Sequence, residues 1–176
     1  MNNRSHLFAA AFAITLALPT LASAQAPGHS FGLGLQLGDP GFAFSGKYFF
    51  DHSDAIQATL GWRTPYYYGA RGPLVTVDWQ HRVATVVPHS GRVHVGFDVG
   101  VGGAVGFVGN YCVHRYVGGE YCYDGGAELA LRIPLAASFY FPSTRLEAYI
   151  ELAPMLAVVP YFGPDFMGGV GGRFYF

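Results

Sequence analysis

Apolar and polar residues alternate along most of the chain between Phe31 and Phe176. In the segment from Arg92 to Val101, every odd-numbered residue is Val or Phe, whereas the even-numbered residues are Arg, His, Asp or Gly. Successive side chains of a β-strand point to opposite faces, so this segment has one apolar face and one polar face. Because charged residues are costly to bury without partners, the pattern favours a barrel whose apolar face is turned outward to lipid.

Turn signals divide the same region into eight predicted strands, most of them close to the roughly 9 to 11 residues that a tilted membrane-spanning strand needs. The first covers residues 31–38 and the last covers residues 168–176. The sixth has the most regular alternation, with these residues on one face: Leu129, Leu131, Ile133, Leu135, Ala137, Phe139 and Phe141. The sequence therefore predicts an all-β fold, an eight-stranded antiparallel up-and-down transmembrane β-barrel.

The lengths of the predicted connections agree with this topology. Compact turns occur around Asp51, Pro88 and Pro142, whereas the long connections, residues 64–73 and 110–126, lie on the opposite side. Bacterial barrels have short periplasmic turns, longer external loops and both termini in the periplasm. Aromatic residues are expected at the two rims: Phe31, Phe50, Phe141 and Phe176 at the periplasmic rim, and Trp62, Phe107, Phe162 and Phe166 at the outer rim.

Composition narrows the class of protein further. The 176 residues are 51% hydrophobic and 12% charged, which suits a single domain with little polar surface. The formal net charge is -1 and Lys and Arg do not cluster, which argues against a nucleic-acid partner. No cofactor is predicted.

Residues 1–26 have the pattern of a cleaved secretory signal peptide. Arg4 lies in a short polar head, an apolar stretch covers residues 7–18, and Ala22-Ser23-Ala24 precedes the expected cleavage site. The alternative is a membrane anchor, but the apolar stretch is shorter than the roughly 20 residues that a spanning helix needs. We expect residues 27–176 to form the barrel domain after export.

The inward faces of the predicted strands carry charges of both signs. The basic members are Lys47, Arg63, Arg82, Arg92, Arg132 and Arg173, and the acidic members are Asp78, Asp98, Glu128, Glu147 and Glu151. An eight-stranded barrel is just wide enough for side chains to fill, so these charges are expected to pair and close the lumen. The alternative is a narrow conduit, since strand five places small residues inward: Gly96, Gly100, Gly102, Ala104 and Gly106. These glycines also fit a second role, making room for long side chains from neighbouring strands.

The longest outer loop, residues 110–126, carries the candidate recognition residues. Cys112 and Cys122 are expected to form a disulfide in the oxidising envelope. A metal site with Cys112, His114 and Cys122 is the alternative, but it requires reduced thiols and a further ligand or open position, and no metal is predicted. Tyr and Arg are frequent interface anchors, so the candidate binding residues are Tyr111, Arg115, Tyr116, Tyr121 and Tyr123.

Catalysis is the third class of function considered. A lipid hydrolase usually needs a Ser activated by His near the outer rim. The predicted outer loops contain no Ser, and His114 is their only His. No catalytic residue is therefore predicted, although His114 together with Asp39, Asp124 or Asp165 stays open as an Asp/His arrangement.

The end of the chain, Gly171-Gly172-Arg173-Phe174-Tyr175-Phe176, resembles the C-terminal signal of bacterial outer membrane barrels. That signal is an alternating last strand that finishes on an aromatic residue, here with Phe174 and Phe176 outward. The opening, residues 31–40 followed by Gly46-Lys47-Tyr48, is similar to the start of small eight-stranded outer membrane barrel proteins. The resemblance implies a Gram-negative outer membrane location, with membrane lipids and the barrel assembly machinery as partners.

This resemblance carries over no catalytic residues. Small eight-stranded outer membrane barrels include structural anchors, adhesins and lipid A-modifying enzymes. For this chain we expect a structural or surface-binding role, with an unidentified external ligand. A narrow pore for ions or small solutes is the first alternative, and a lipid-modifying enzyme is the second.

Overall fold

The computed structural model describes residues 31–39, 41–63, 72–89, 91–109, 111–115, 119–123, 125–159 and 162–176. The predicted signal peptide, residues 1–26, lies outside these residues, as does Tyr116. Within the described part of the chain, no helix is long and apolar enough to cross a membrane.

Eleven strands are formed by the described residues. They are β1 (Phe31–Gly38), β2 (Gly41–Phe49), β3 (Asp54–Arg63), β4 (Gly72–Val86), β5 (His94–Val108), β6 (Tyr111–Arg115), β7 (Gly119–Tyr123), β8 (Gly126–Arg132), β9 (Leu135–Phe141), β10 (Leu146–Val159) and β11 (Gly163–Tyr175). β6 and β7 form a separate two-stranded hairpin, and the other nine strands form one sheet.

The nine-stranded sheet closes into a ring of eight positions, each strand antiparallel to its neighbours. β8 and β9 share the sixth position, and β1 completes the ring by pairing with β11 from Gly32 opposite Tyr175 to Gly38 opposite Gly169. The ring confirms the predicted all-β, eight-stranded, up-and-down barrel. We call the end with Phe31 and Phe176 the termini end, and the opposite end the loop end.

The predicted sixth strand differs from the structure because its ladder is interrupted at Ile133 and Pro134. Proline has no backbone N–H to donate, so it interrupts a sheet ladder. Two backbone hydrogen bonds still join this interruption to the neighbouring strands. The Gly100 N–H of β5 donates to the Pro134 carbonyl at 2.8 Å, and the Ile133 N–H donates to the Pro154 carbonyl of β10 at 3.0 Å. The predicted alternation of faces nevertheless continues through it, with Ile133 exposed and Pro134 buried.

The barrel is apolar outside and largely polar inside, as the alternation predicts. On β2, Phe42, Phe44 and Tyr48 are exposed, whereas Ser45 and Lys47 are buried. Exposed aromatic residues surround both ends, with Phe31, Phe50, Phe141 and Phe176 at the termini end and Trp62, Phe107, Phe162 and Phe166 at the loop end.

Glycine permits close approach at the seam between β1 and β11. A Cβ atom on Gly34 would lie 1.8 Å from the Gly172 carbonyl oxygen, a distance that no side chain tolerates. On the inner side, a Cβ on Gly171 would lie 2.5 Å from the Tyr149 ring. The absence of a side chain at Gly171 therefore leaves room for the Tyr149 ring in the interior.

Two apolar layers lie inside the barrel, one toward each end. Phe49, Ala55, Tyr140 and Tyr175 form the layer at the termini end, where the Tyr140 and Tyr175 rings meet edge to face at 5.7 Å. The layer toward the loop end consists of Leu74, Ala104, Ala130, Ala153, Met155 and Met167. Most of the charged interior side chains lie between these layers.

Candidate functional site

The first interior group, nearest the termini end, is built around the carboxylate of Asp98 on β5. Lys47 Nζ donates to one carboxylate oxygen at 2.6 Å, and the Arg82 guanidinium donates to both oxygens at 2.7 and 3.1 Å. Arg82 also donates to Ser138 Oγ at 3.2 Å. The cations of Lys47 and Arg82 lie 4.9 and 5.0 Å from the centre of the Phe49 ring, so the apolar layer is in direct contact with the charges.

The second group joins Arg173 on β11 to Glu147, which lies directly opposite on β10. Arg173 donates to Glu147 at 3.1 Å, and the Tyr175 hydroxyl donates to the same carboxylate oxygen at 2.7 Å. The guanidinium also donates to Ser45 at 2.9 and 3.0 Å and lies 3.7 Å from the centre of the Tyr149 ring. Arg173 is only 2% exposed, and these contacts compensate its buried guanidinium.

The third group lies nearer the loop end and has one cation for two carboxylates. Arg132 donates to Glu151 through Nη2, and its Nε lies 3.2 Å from an oxygen of Asp78. Glu151 also accepts hydrogen bonds from the side-chain amides of Gln57 and Gln80. Asp78 accepts no hydrogen bond on either oxygen from the described residues, although it is fully buried.

Gln57 links the second and third groups. Its amide nitrogen donates to Glu151, and its amide oxygen accepts from Arg173. The predicted charge network did not include Gln57, Ser45 or Tyr149, because these residues are uncharged. Their inward register was the available signal, but their partners depend on how the ring closes.

The small residues of β5 are covered by neighbouring side chains. A Cβ on Gly96 would lie 2.8 Å from the Arg82 guanidinium, one on Gly102 would lie 2.0 Å from an Asp78 oxygen, and one on Gly106 would lie 2.8 Å from Leu74. Of the two roles considered for these glycines, the structure therefore favours making room for neighbouring side chains.

Three further charged residues were predicted to face the lumen: Arg63, Arg92 and Glu128. Arg92 was predicted inward, and that prediction is wrong: the ladder between β5 and β9 begins at His94 opposite Tyr140, which leaves Arg92 exposed in the preceding turn. Glu128 is buried, as expected for an inward residue. Arg63 ends β3, and its side chain lies outside the described part of the structure.

The hairpin of β6 and β7, which we call the outer hairpin after its predicted location, contains both cysteines and four of the five candidate binding residues. Its backbone register sets Cys112 opposite Cys122, Tyr111 opposite Tyr123, and Arg115 opposite Gly119. Directly opposite residues of an antiparallel pair have Cα atoms about 4.5 to 5.5 Å apart, which is within the range that a disulfide spans. Among the described residues, no group of His, Cys, Asp and Glu side chains is arranged to hold a metal ion.

The fold is similar to that in the crystal structure of the N-terminal β-barrel domain of Pseudomonas aeruginosa OprF. The two chains share 15% sequence identity, the match covers 84% of this chain and 96% of that chain, and the TM-score is 0.57. At this identity the likeness establishes the barrel fold alone. No protein-family model matches the chain, and no curated protein matches it.

Proposed function

We propose that this chain is a bacterial outer membrane barrel with a structural and surface-binding role. Residues 1–26 direct export and are removed, and residues 27–176 insert in a Gram-negative outer membrane. The closed ring supports this location because every strand of it has a partner on both sides, as a strand surrounded by lipid requires. The exposed apolar face and the aromatic residues at both ends support it further.

The observation that carries the proposal of a scaffold is the filled interior. A solute crossing the barrel would have to separate Arg173 from Glu147 and Arg82 from Asp98, which would leave buried charges without their partners. It would also have to pass two apolar layers, and apolar constrictions exclude water. These features support a closed scaffold over a narrow pore.

The outer hairpin is the proposed recognition element. Tyr111, Val113, Tyr121 and Tyr123 occupy one face by register, and Cys112 and Cys122 occupy the alternate positions. A disulfide between the cysteines would stiffen the hairpin and reduce the entropy lost on binding. We propose that its tyrosines, with Arg115 and Tyr116, contact an external ligand.

Assembly is the second proposed interaction. Phe174 and Phe176 are exposed at the end of the last strand, and their rings lie 5.2 Å apart. The Phe176 N–H donates to the Phe31 carbonyl at 2.9 Å, so these aromatic residues are at the seam that closes the ring. We propose that the barrel assembly machinery reads them there.

The test is to refold residues 27–176 in detergent and to transfer the protein to a planar bilayer. We expect a folded band that shifts on boiling, and no unitary currents. Steady unitary currents would instead support the narrow pore. Arg92→Ala is a matched control for Arg132→Ala, because the first residue is exposed and the second is buried. Current in Arg132→Ala alone would show that the interior side chains close the lumen.

A further inference from the structure

The interior group nearer the loop end holds three buried oxygen atoms that lack a hydrogen-bond donor. Neither carboxylate oxygen of Asp78 accepts a hydrogen bond from the described residues, and the same is true of the side-chain amide oxygen of Gln80. Asp78 is fully buried, and Gln80 is 1% exposed. A buried acceptor without a partner has lost the hydrogen bonds that water would supply, so these atoms favour a ligand that binds oxygen.

The backbone brings the two side chains into the same part of the interior. Asp78 and Gln80 are two residues apart on β4, so they lie on one face of the strand. On β5, Gly102 lies opposite Asp78 and Gly100 lies opposite Gln80. A Cβ on Gly102 would lie 2.0 Å from an Asp78 oxygen, and a Cβ on Gly100 would lie 3.1 Å from Gln80 Cγ. Both side chains therefore lie against a wall of β5 that carries no side chains.

Arg132 does not satisfy Asp78, although the two residues are close. Its Nη2 donates to Glu151, and its Nη1 lies 3.8 Å from the sulfur atom of Met167. Its Nε lies 3.2 Å from an Asp78 oxygen without forming a hydrogen bond. The guanidinium is thus oriented by Glu151, and Asp78 receives only part of its electrostatic stabilisation.

The balance of charge in this group favours a cation. Arg132 supplies one positive charge, whereas Asp78 and Glu151 supply two negative charges. Arg173 of the second group reaches this group only through the Gln57 amide, which accepts from Arg173 and donates to Glu151. A water molecule would donate hydrogen bonds to the free oxygens but would leave the local negative charge uncompensated. A cation would interact with the same oxygens and compensate that charge.

We propose that Asp78 and Gln80 bind a small monovalent metal ion, Na⁺ or K⁺, through the two carboxylate oxygens and the amide oxygen. Carboxylate and amide oxygens are the ligands that hard cations prefer, and carbonyl oxygens also hold monovalent ions in channels. One positive charge matches the local excess of one negative charge. The site needs a single carboxylate, so it differs from clusters of three or more His, Cys, Asp or Glu side chains, which the described residues lack. The ion would be a component of the filled interior.

The test measures whether a small cation stabilises the folded barrel. Residues 27–176 would be refolded in a non-ionic detergent and unfolded with urea in NaCl, KCl or choline chloride, each at about 150 mM so that screening is equal. Tryptophan emission reports unfolding, because Trp62 and Trp79 are exposed on the outer face. We expect Na⁺ or K⁺ to raise the folding constant about fourfold over choline, which is the gain at an ion concentration three times Kd. The arm with the larger gain identifies the ion.

Two variants assign the gain to the site. Asp78→Asn keeps the size of the side chain and removes its charge, and Gln80→Met removes the amide oxygen at similar length. Each should abolish or reduce the difference between the small cations and choline. The matched control is Thr85→Val, because Thr85 Oγ is also buried without a partner among the described residues but carries no charge. This control should keep the full difference.

Each remaining outcome counts against the site. Equal folding constants in the three salts would overturn it, and so would a gain that survives in both Asp78→Asn and Gln80→Met. If Asp78→Asn does not fold, Gln80→Met decides the question. Failure of the parent chain to refold in any salt, judged by gel mobility before and after boiling, would overturn the closed barrel and the site together. A folded barrel that is indifferent to the cation would overturn the site alone.

Discussion

The interior groups at the termini end and the group nearer the loop end differ in how completely their buried charges are paired. At the termini end, three cations, Lys47, Arg82 and Arg173, meet two carboxylates, and all five charges have hydrogen-bonded ion pairs. Nearer the loop end, Arg132 alone faces two carboxylates, and one of them, Asp78, accepts no hydrogen bond. These two regions carry opposite formal charges of one unit each, so the excess charge of one offsets that of the other.

Interior charge in the barrel is therefore not uniformly stabilising. A buried ion pair contributes to stability only when its geometry and remaining hydrogen bonds are good. The termini end meets that condition and the Asp78 site does not.

The largest effect is expected from Arg173→Ala. The change would leave Glu147 buried without its cation and remove the contacts to Ser45 and Gln57, at a cost of about 3 to 5 kcal/mol. The urea midpoint of the refolded barrel, followed by gel mobility, should fall accordingly. Arg92→Ala is the control and should leave that midpoint nearly unchanged, because Arg92 is exposed.

The comparison is tested directly by replacing one carboxylate in each region with its amide. Asp98→Asn should cost about 1.5 to 3 kcal/mol, because Lys47 and Arg82 lose their charged acceptor. Asp78→Asn should change the free energy of unfolding by less than about 1 kcal/mol, since it removes one of two carboxylates that share Arg132. Equal losses in the same urea experiment would contradict the distinction between the two regions.

Gly102→Ala should cost about 1 to 3 kcal/mol, because the added Cβ would lie 2.4 Å from the Val77 carbonyl oxygen as well as against Asp78. Gly103→Ala is the matched control on the opposite face, where the nearest atom would be 3.4 Å away. Thermal unfolding in detergent would compare the two variants. If Gly102→Ala did not lower the stability, the strand and side chains around Asp78 would have to rearrange to accommodate the added Cβ.

The smallest effect on the barrel is expected from Cys112→Ser. The hairpin is outside the nine-stranded ring, so the free energy of unfolding in urea should stay within about 0.5 kcal/mol of that of the parent. Alkylation followed by mass measurement should show no free thiol in the unreduced parent and one in the variant. Two free thiols in the parent would contradict the proposed disulfide.

Alternation alone was enough to place most of the interior charges. Lys47, Asp78, Asp98 and Glu151 all lie inward, because the two-residue period survives from strand to strand. The end of a strand is set by its partner, and for this reason Arg92 was misplaced. The break at Pro134 could have been anticipated from the missing N–H, which the regular alternation concealed.

The pairing of interior charges could not be derived from the sequence. Arg173 reaches Gln57 and Ser45 across the interior, and those distances depend on the stagger of the closed ring. The apolar layer toward the loop end was missed for another reason. Leu74, Met155 and Met167 are inward and apolar, so polarity gives no sign of their face.

The seam between β1 and β11 has a consequence for how the molecule is made. Nearly all other ring neighbours are close along the chain, but this seam joins Gly32 to Tyr175 across almost the whole described sequence. Loop-closure entropy makes such a distant pairing slow to form. We therefore expect the hairpins to form early and the β1–β11 contact to be the rate-limiting step of folding, which an agent that brings these two strands together would accelerate.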